Sequence, residues 1–150
     1  MTRPRLPLSV LIVEDEALLA MDLEAVIEEG GHQVVAEAAC LQEVAELDGA
    51  LRVDLAFVDI NLAHGSSGLD VSRLLRDRWS DVLIVFVTAN PLKIPADYAG
   101  GDGVIAKPFS RTGLLSALRY IEQGVCDPPP ELPRPDSFTA SPALAAAWSM

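Results

Sequence analysis

Cysteine, basic charge, aromatic rings and long apolar runs are all scarce in this chain, and each shortage argues against a class of function. Its two cysteines in 150 residues, Cys40 and Cys126, stand far apart, in neither a CxxC nor a metal-ligand spacing. That pattern speaks against a secreted disulfide scaffold and for unpaired thiols in a reducing, cytoplasmic compartment. Eleven Lys and Arg face 22 Asp and Glu, a formal net charge of -11, and no basic cluster is interleaved with aromatics. Direct binding to nucleic acid or to an anionic membrane is therefore disfavoured. No apolar stretch approaches the ~18 residues of a membrane span, and the run after Arg3 and Arg5 stops at Glu14-Asp15-Glu16, too short for a signal peptide.

What is present is a single domain's worth of chain, half of it hydrophobic, organised as short apolar runs that alternate with helical periodicity. Val10–Val13 reads as a buried strand that ends on Glu14-Asp15. Leu19, Leu23, Val26 and Ile27 then recur at helical spacing until Gly30-Gly31 stops the helix. Residues 33–38 read as a second strand and 41–47 as a short helix. Leu55-Ala-Phe-Val runs into Asp59 and a polar, glycine-containing loop. A third helix follows on Leu69, Val71, Leu74, Leu75 and Trp79. Val82–Val87 is the most hydrophobic run and ends on Thr88. Between Ala89 and Gly103 the prolines 91 and 95 and Gly100-Gly101 leave room for one or two turns, which predicts a mobile segment. Gly103–Ala106 is a fifth strand ending on Lys107-Pro108, and Ser110 caps a helix with Leu114, Leu115, Leu118 and Ile121 inward. Residues 125–150, rich in proline, predict an extended or disordered tail with a weak helical end near 143–148.

Five alternations with long crossovers predict an α/β fold: a doubly wound, five-stranded parallel sheet with helices on both faces, comprising residues 8–124 behind an N-terminal extension of 1–7. Ligands of such sheets bind at the carboxyl ends of the strands. One rim would thus collect Glu14, Asp15, Asp59, Thr88 and Lys107. Clustered carboxylates repel unless a cation sits among them, and an all-oxygen set suits Mg²⁺. With a metal and a lysine neutralising phosphoryl oxygens, one carboxylate can act as nucleophile and form an acyl phosphate.

These positions, together with Ala89 after Thr88 and Phe109 after Lys107-Pro108, resemble the receiver domain of two-component response regulators, over about residues 8–124. The resemblance implies a flavodoxin-like strand order 2-1-3-4-5. It implies that Asp59 accepts a phosphoryl group from a histidine kinase or a histidine phosphotransfer protein. Mg²⁺ would be held by Asp15 and Asp59, by Glu14 through water, and by the backbone carbonyl of Asn61. Lys107 would pair with the phosphate and Thr88 would close on it as the switch hydroxyl. The implied protein is not an enzyme, although it assists its own phosphorylation and dephosphorylation. It would be a stand-alone regulator that signals by contact with an unknown downstream protein, drains phosphate from a kinase, or forms a phosphorylation-dependent homodimer.

The departures are specific. Val104 stands three places before Lys107, where the family often carries an aromatic; Thr88 and Lys107 are 19 apart, closer than in the chemotaxis-type regulator; and the loop after Asp59 carries an extra residue before Gly68. With the broken fourth helix, these features are similar to the atypical single-domain receivers of alphaproteobacteria. Two other readings stand beside this one: a phosphorylation-independent receiver used as a docking module, and an aspartate-nucleophile phosphatase. The phosphatase would want an acid two places after Asp59, where Asn61 stands. His32 and His64 read as solvated loop side chains, and Arg111, Arg119 and Tyr120 as a candidate partner surface.

Overall fold

The computed structural model describes residues 6–149, so the first five residues of the predicted N-terminal extension lie outside the described part. Strands β1 (Ser9–Val13), β2 (Gln33–Ala38), β3 (Leu55–Val58), β4 (Leu83–Thr88) and β5 (Gly103–Ala106) are parallel, in the order β2-β1-β3-β4-β5. The predicted order holds. A sixth strand, β6 (Thr139–Ala140), adds to the β5 edge in the antiparallel sense, so among the described residues the sheet has six strands rather than five.

Side chains alternate across a strand, and here the alternation divides the core in two. Val10, Ile12, Phe57, Val85, Val87 and Ile105 point to one face, where α1 (Ala17–Glu29) brings Leu23 and Ile27 and α4 (Arg111–Cys126) brings Leu114, Leu118 and Ile121. Leu11, Val13, Ala56, Val58, Ile84, Phe86 and Val104 point to the other, against Val44 of α2 (Leu41–Ala45) and Val71 and Leu75 of α3 (Gly68–Arg78). Burial on both faces is why β1, β3 and β4 read as unbroken apolar runs.

No α-helix forms between β4 and β5; two 3₁₀ turns, Pro91–Lys93 and Tyr98–Gly100, take its place. The segment predicted to be mobile is nonetheless pinned at its second half. The Arg76 guanidinium of α3 donates to the Gly100 carbonyl and to Asp102 Oδ2, and Ser72 Oγ donates to the Ala99 carbonyl. Nothing in the local pattern of residues 89–103 announces this, because the clamping side chains are on another helix.

Three further expectations need correction. His32 is buried: its Nδ1 accepts the Leu8 N–H at 3.0 Å and its Nε2 meets Glu122 Oε1 at 2.9 Å, so it ties β1 to α4. Tyr120 is buried as well, leaving Arg111 and Arg119 on the surface without it. Nor does the proline-rich tail hang free. After residue 126 the chain runs back along the molecule, forms β6 and closes with α5 (Pro142–Ala147), burying Phe138 and Leu144 against the α1/α4 side of the core. Prolines lack the N–H that a central strand needs, but they do not prevent a two-residue edge strand or a helix that begins on Pro142.

Candidate functional site

The five parallel strands end on the same edge, and the residues just after β1, β3 and β5 carry the charges. Asp59 follows directly after β3, where its N–H donates to the Val13 carbonyl at 2.9 Å and holds it beside the end of β1. Glu14, next to it, has a side chain that is only 1% exposed. Asp15 is exposed. One oxygen from each of these three acids lies within 4.8 Å of the others.

Lys107 reaches in from the end of β5. Its Nζ donates to Glu14 Oε1 at 2.9 Å and to Asp59 Oδ2 at 3.1 Å. Burial works against the charge on Lys107, yet the bonds to Glu14 and Asp59 outweigh it and hold the ammonium above the ordinary lysine range. Burial likewise pushes the Glu14 carboxyl up. The bonds from Lys107 and from the Glu16 N–H oppose that shift, and the Asp59 charge adds to it.

Asp59 and Asp15 open on a cleft of about 330 Å³ that is also lined by Glu16, Leu19, Asn61, Leu62, Ala89 and Lys107. Asn61 donates its N–H to Asp59 Oδ1 at 3.3 Å. It also faces Ser67 in an isolated bridge closed by Gly68 N–H to the Ile60 carbonyl and Leu62 N–H to the Ser66 carbonyl. Neither of those bonds uses the Asn61 carbonyl, which stays outside the ladder. The donor set is hard and oxygen-only, with the carboxylates of Asp15, Glu16 and Asp59 on the cleft and a carbonyl beside them, and it suits a cation that keeps part of its water.

Thus Glu14, Asp15, Asp59, Asn61 and Lys107 come together as the sequence predicted, with a division of labour that it did not show. Glu14 does not line the cleft. Its two oxygens are engaged by Lys107 and by the Glu16 N–H, so in this arrangement it orients the lysine. Thr88 is fully buried and also off the cleft wall, its Oγ1 accepting the Asn90 N–H at 3.0 Å, while its neighbour Ala89 does line the cleft. The Lys107 N–H donates to the Thr88 carbonyl at 2.9 Å, so the ends of β4 and β5 are tied at the backbone. The peptide bond between Lys107 and Pro108 is cis.

One residue that supports the site was not singled out. A Cβ at Gly68 would stand 2.0 Å from the Asp59 carbonyl oxygen and 2.8 Å from Ile60 Cα, so only glycine lets α3 begin directly beneath the Asp59 turn. The sequence does show a glycine there. Gly65, three residues earlier, has nothing near its missing Cβ and instead adopts φ +70, and no local signal tells these two roles apart.

A family model described as the response regulator receiver domain matches residues 10–119. The phyllosphere-induced regulator PhyR of Methylorubrum extorquens is 42% identical over 112 residues, which span 73% of this chain and 41% of that protein. Among solved structures, the receiver domain of Erythrobacter litoralis PhyR superposes with a TM-score of 0.69 at 28% identity, covering 83% of this chain and 96% of that one. A Burkholderia pseudomallei response regulator, solved with a phosphorylated aspartic acid, a calcium ion and citrate, has a TM-score of 0.64 at 26% identity, over 81% of this chain and 75% of that one. The chain spans about half the length of the curated relatives it matches.

Proposed function

The chain belongs to the response regulator receiver domain family, and on that premise we propose that Asp59 is its phosphoacceptor, taking a phosphoryl group from a phosphohistidine on a kinase or phosphotransfer protein. The observation that carries this reading is the grip on one carboxylate: Lys107 on Oδ2, the Asn61 N–H on Oδ1, and an open acidic cleft in front. Held this way, the Asp59 carboxylate is oriented for in-line attack at phosphorus. The new O–P bond forms as the P–N bond breaks, and the electron pair leaves with the imidazole nitrogen, which takes up a proton from solvent. Lys107 transfers its hydrogen bonds from the carboxylates to a phosphoryl oxygen and balances the charge that collects there.

Asp15, Asp59 and the Asn61 carbonyl would hold Mg²⁺, whose chemistry here is to neutralise phosphoryl oxygens while charge builds on them. That the Burkholderia response regulator was solved with a phosphorylated aspartic acid and a calcium ion supports an aspartate acceptor and a divalent cation for this chain. Thr88 is the proposed switch hydroxyl; to reach the phosphoryl group it must give up the Asn90 N–H. With Val104 three places before Lys107, no aromatic ring at that position follows it. The signal would pass by contact with a partner protein in the cytoplasm, or the chain would serve as a phosphate sink for its kinase.

Incubation with Mg²⁺ and acetyl phosphate tests the proposal. Intact-mass measurement should show one added phosphoryl group in the wild type and none in Asp59→Ala. A wild type that gains no mass while a known receiver in the same tube does would refute it.

A further inference from the structure

The chain after α4 is seated on the domain by complementary shapes. Phe138 is 1% exposed and its ring fills the space beside Gly103, where any Cβ would come within 2.5 Å of it. The Trp148 ring lies over Gly124, where a Cβ would come within 2.4 Å. Tyr120 of α4 packs between the two rings, its centroid 5.8 Å from Phe138 and 5.6 Å from Trp148. Ser137 Oγ donates to the Gly113 carbonyl at 2.7 Å, and the Ser141 N–H donates to the Asp102 carbonyl at 2.8 Å. The backbone pairing itself is short, Ala140 opposite Gly103 and Thr139 opposite Val104. Residues 127–135, which lead to it, carry five prolines.

The strand that receives this segment is the one that ends on Lys107. A groove of about 400 Å³ is lined both by Ala106, Pro108 and Phe109 of β5 and its loop and by Asp136, Ser137 and Thr139 of the strap. Strap and functional site therefore share β5 and the loop after it. The seated strap occurs here together with Lys107 drawn inward onto Glu14 and Asp59. Phosphoryl oxygens stand farther out than the carboxylate that carries them, so a lysine that follows them would pull outward on the end of the strand with which the strap pairs.

We propose that residues 136–149 form a latch whose seating on the β5 edge is coupled to the state of Asp59: tight on the unmodified domain, looser when Lys107 engages a phosphoryl group. This rests on Asp59 being the phosphoacceptor. Because coupling free energies are reciprocal, the factor by which a phosphoryl mimic loosens the latch is the factor by which full release of the latch strengthens binding of that mimic, so weakening the latch strengthens binding up to that limit.

The test uses the full chain with Mg²⁺ and beryllofluoride, with hydrogen exchange read by mass spectrometry and beryllofluoride affinity measured by titration. Amides of residues 139–141 should exchange faster in the bound state, by about fivefold or more. Ser137→Ala and Phe138→Leu, the milder of the available changes, should bind beryllofluoride several-fold more tightly than wild type. Binding with unaltered exchange at 139–141 and unaltered affinity in both variants would overturn the latch and leave the phosphoacceptor reading standing. Failure of the wild type to bind beryllofluoride at all would overturn both.

Discussion

The two ends of the molecule that meet on β5 are built by opposite means. At the rim, strand ends bring Glu14 and Asp59 into hydrogen bonds with one ammonium and set an oxygen of Asp15 within 4.8 Å of an oxygen of each. Under the strap, two aromatic rings enter spaces left by Gly103 of β5 and Gly124 of α4, and the polar contacts amount to a short ladder and a few single bonds. The first arrangement is electrostatically tense, with a glutamate pushed up by burial and a single lysine tying two acids. The second is close-packed and neutral. A site that must exchange one set of oxygens for another benefits from bonds that are strong but transferable, whereas a shape-fitted seat is either occupied or lost.

Removing the most deeply buried ring on the neutral side should have the largest effect. Phe138→Ala leaves a cavity between β5 and α4 and should lower unfolding free energy by about 4 kcal/mol in urea titrations, while the molecules that remain folded still phosphorylate on Asp59. Gly68→Ala attacks the rim through its support. The new Cβ meets backbone rather than a yielding side chain, so about 3 kcal/mol of stability should go, and the phosphorylation rate should fall with it.

Lys107→Met tests the tension itself. Leaving Glu14 and Asp59 without their cation should cost about 2 kcal/mol at neutral pH, discounted from fully buried pairs because the lysine is partly exposed. The sign follows from the raised lysine: its contribution is complete below the ordinary value of 10.5 and is lost as pH rises through the higher folded value. Urea titrations across pH should therefore show a constant gap between wild type and variant from neutral upward, closing only above that ordinary value. Equal stabilities at neutral pH would mean that the rim is held by its backbone and not by its charges. The smallest change is expected from Trp148→Ala, about 1 kcal/mol, because that ring is only partly buried and sits near the chain end.

Most of the rim was legible because each of its members ends a strand whose apolar run is visible locally. Glu14, Asp59, Thr88 and Lys107 all occupy such places, and a parallel sheet necessarily brings those places to one edge. The tail was not legible in the same way. Phe138, Leu144 and Trp148 are spaced 6 and 4 apart among prolines, serines and alanines, with neither a period of 2 nor of 3.6 to mark a strand or a long helix. Composition therefore predicted disorder, whereas three apolar side chains and two waiting glycine notches were enough to fold the segment back. His32 shows the same limit on a smaller scale: a histidine beside two glycines looks like a turn residue until Leu8 and Glu122 are seen to take both of its nitrogens.

The amino-acid sequence by itself determined the alternation of strands and helices, the edge on which the charges gather and the identity of the proposed acceptor, because each of those rests on patterns a few residues long. Only the tertiary structure decided that Glu14 turns to Lys107 across 93 residues of chain, that Thr88 faces Asn90 and not the cleft, and that β5 is an inner strand with Phe138 beside it. Those choices depend on which distant side chain fills a given space, and that is a property of packing that no local pattern records.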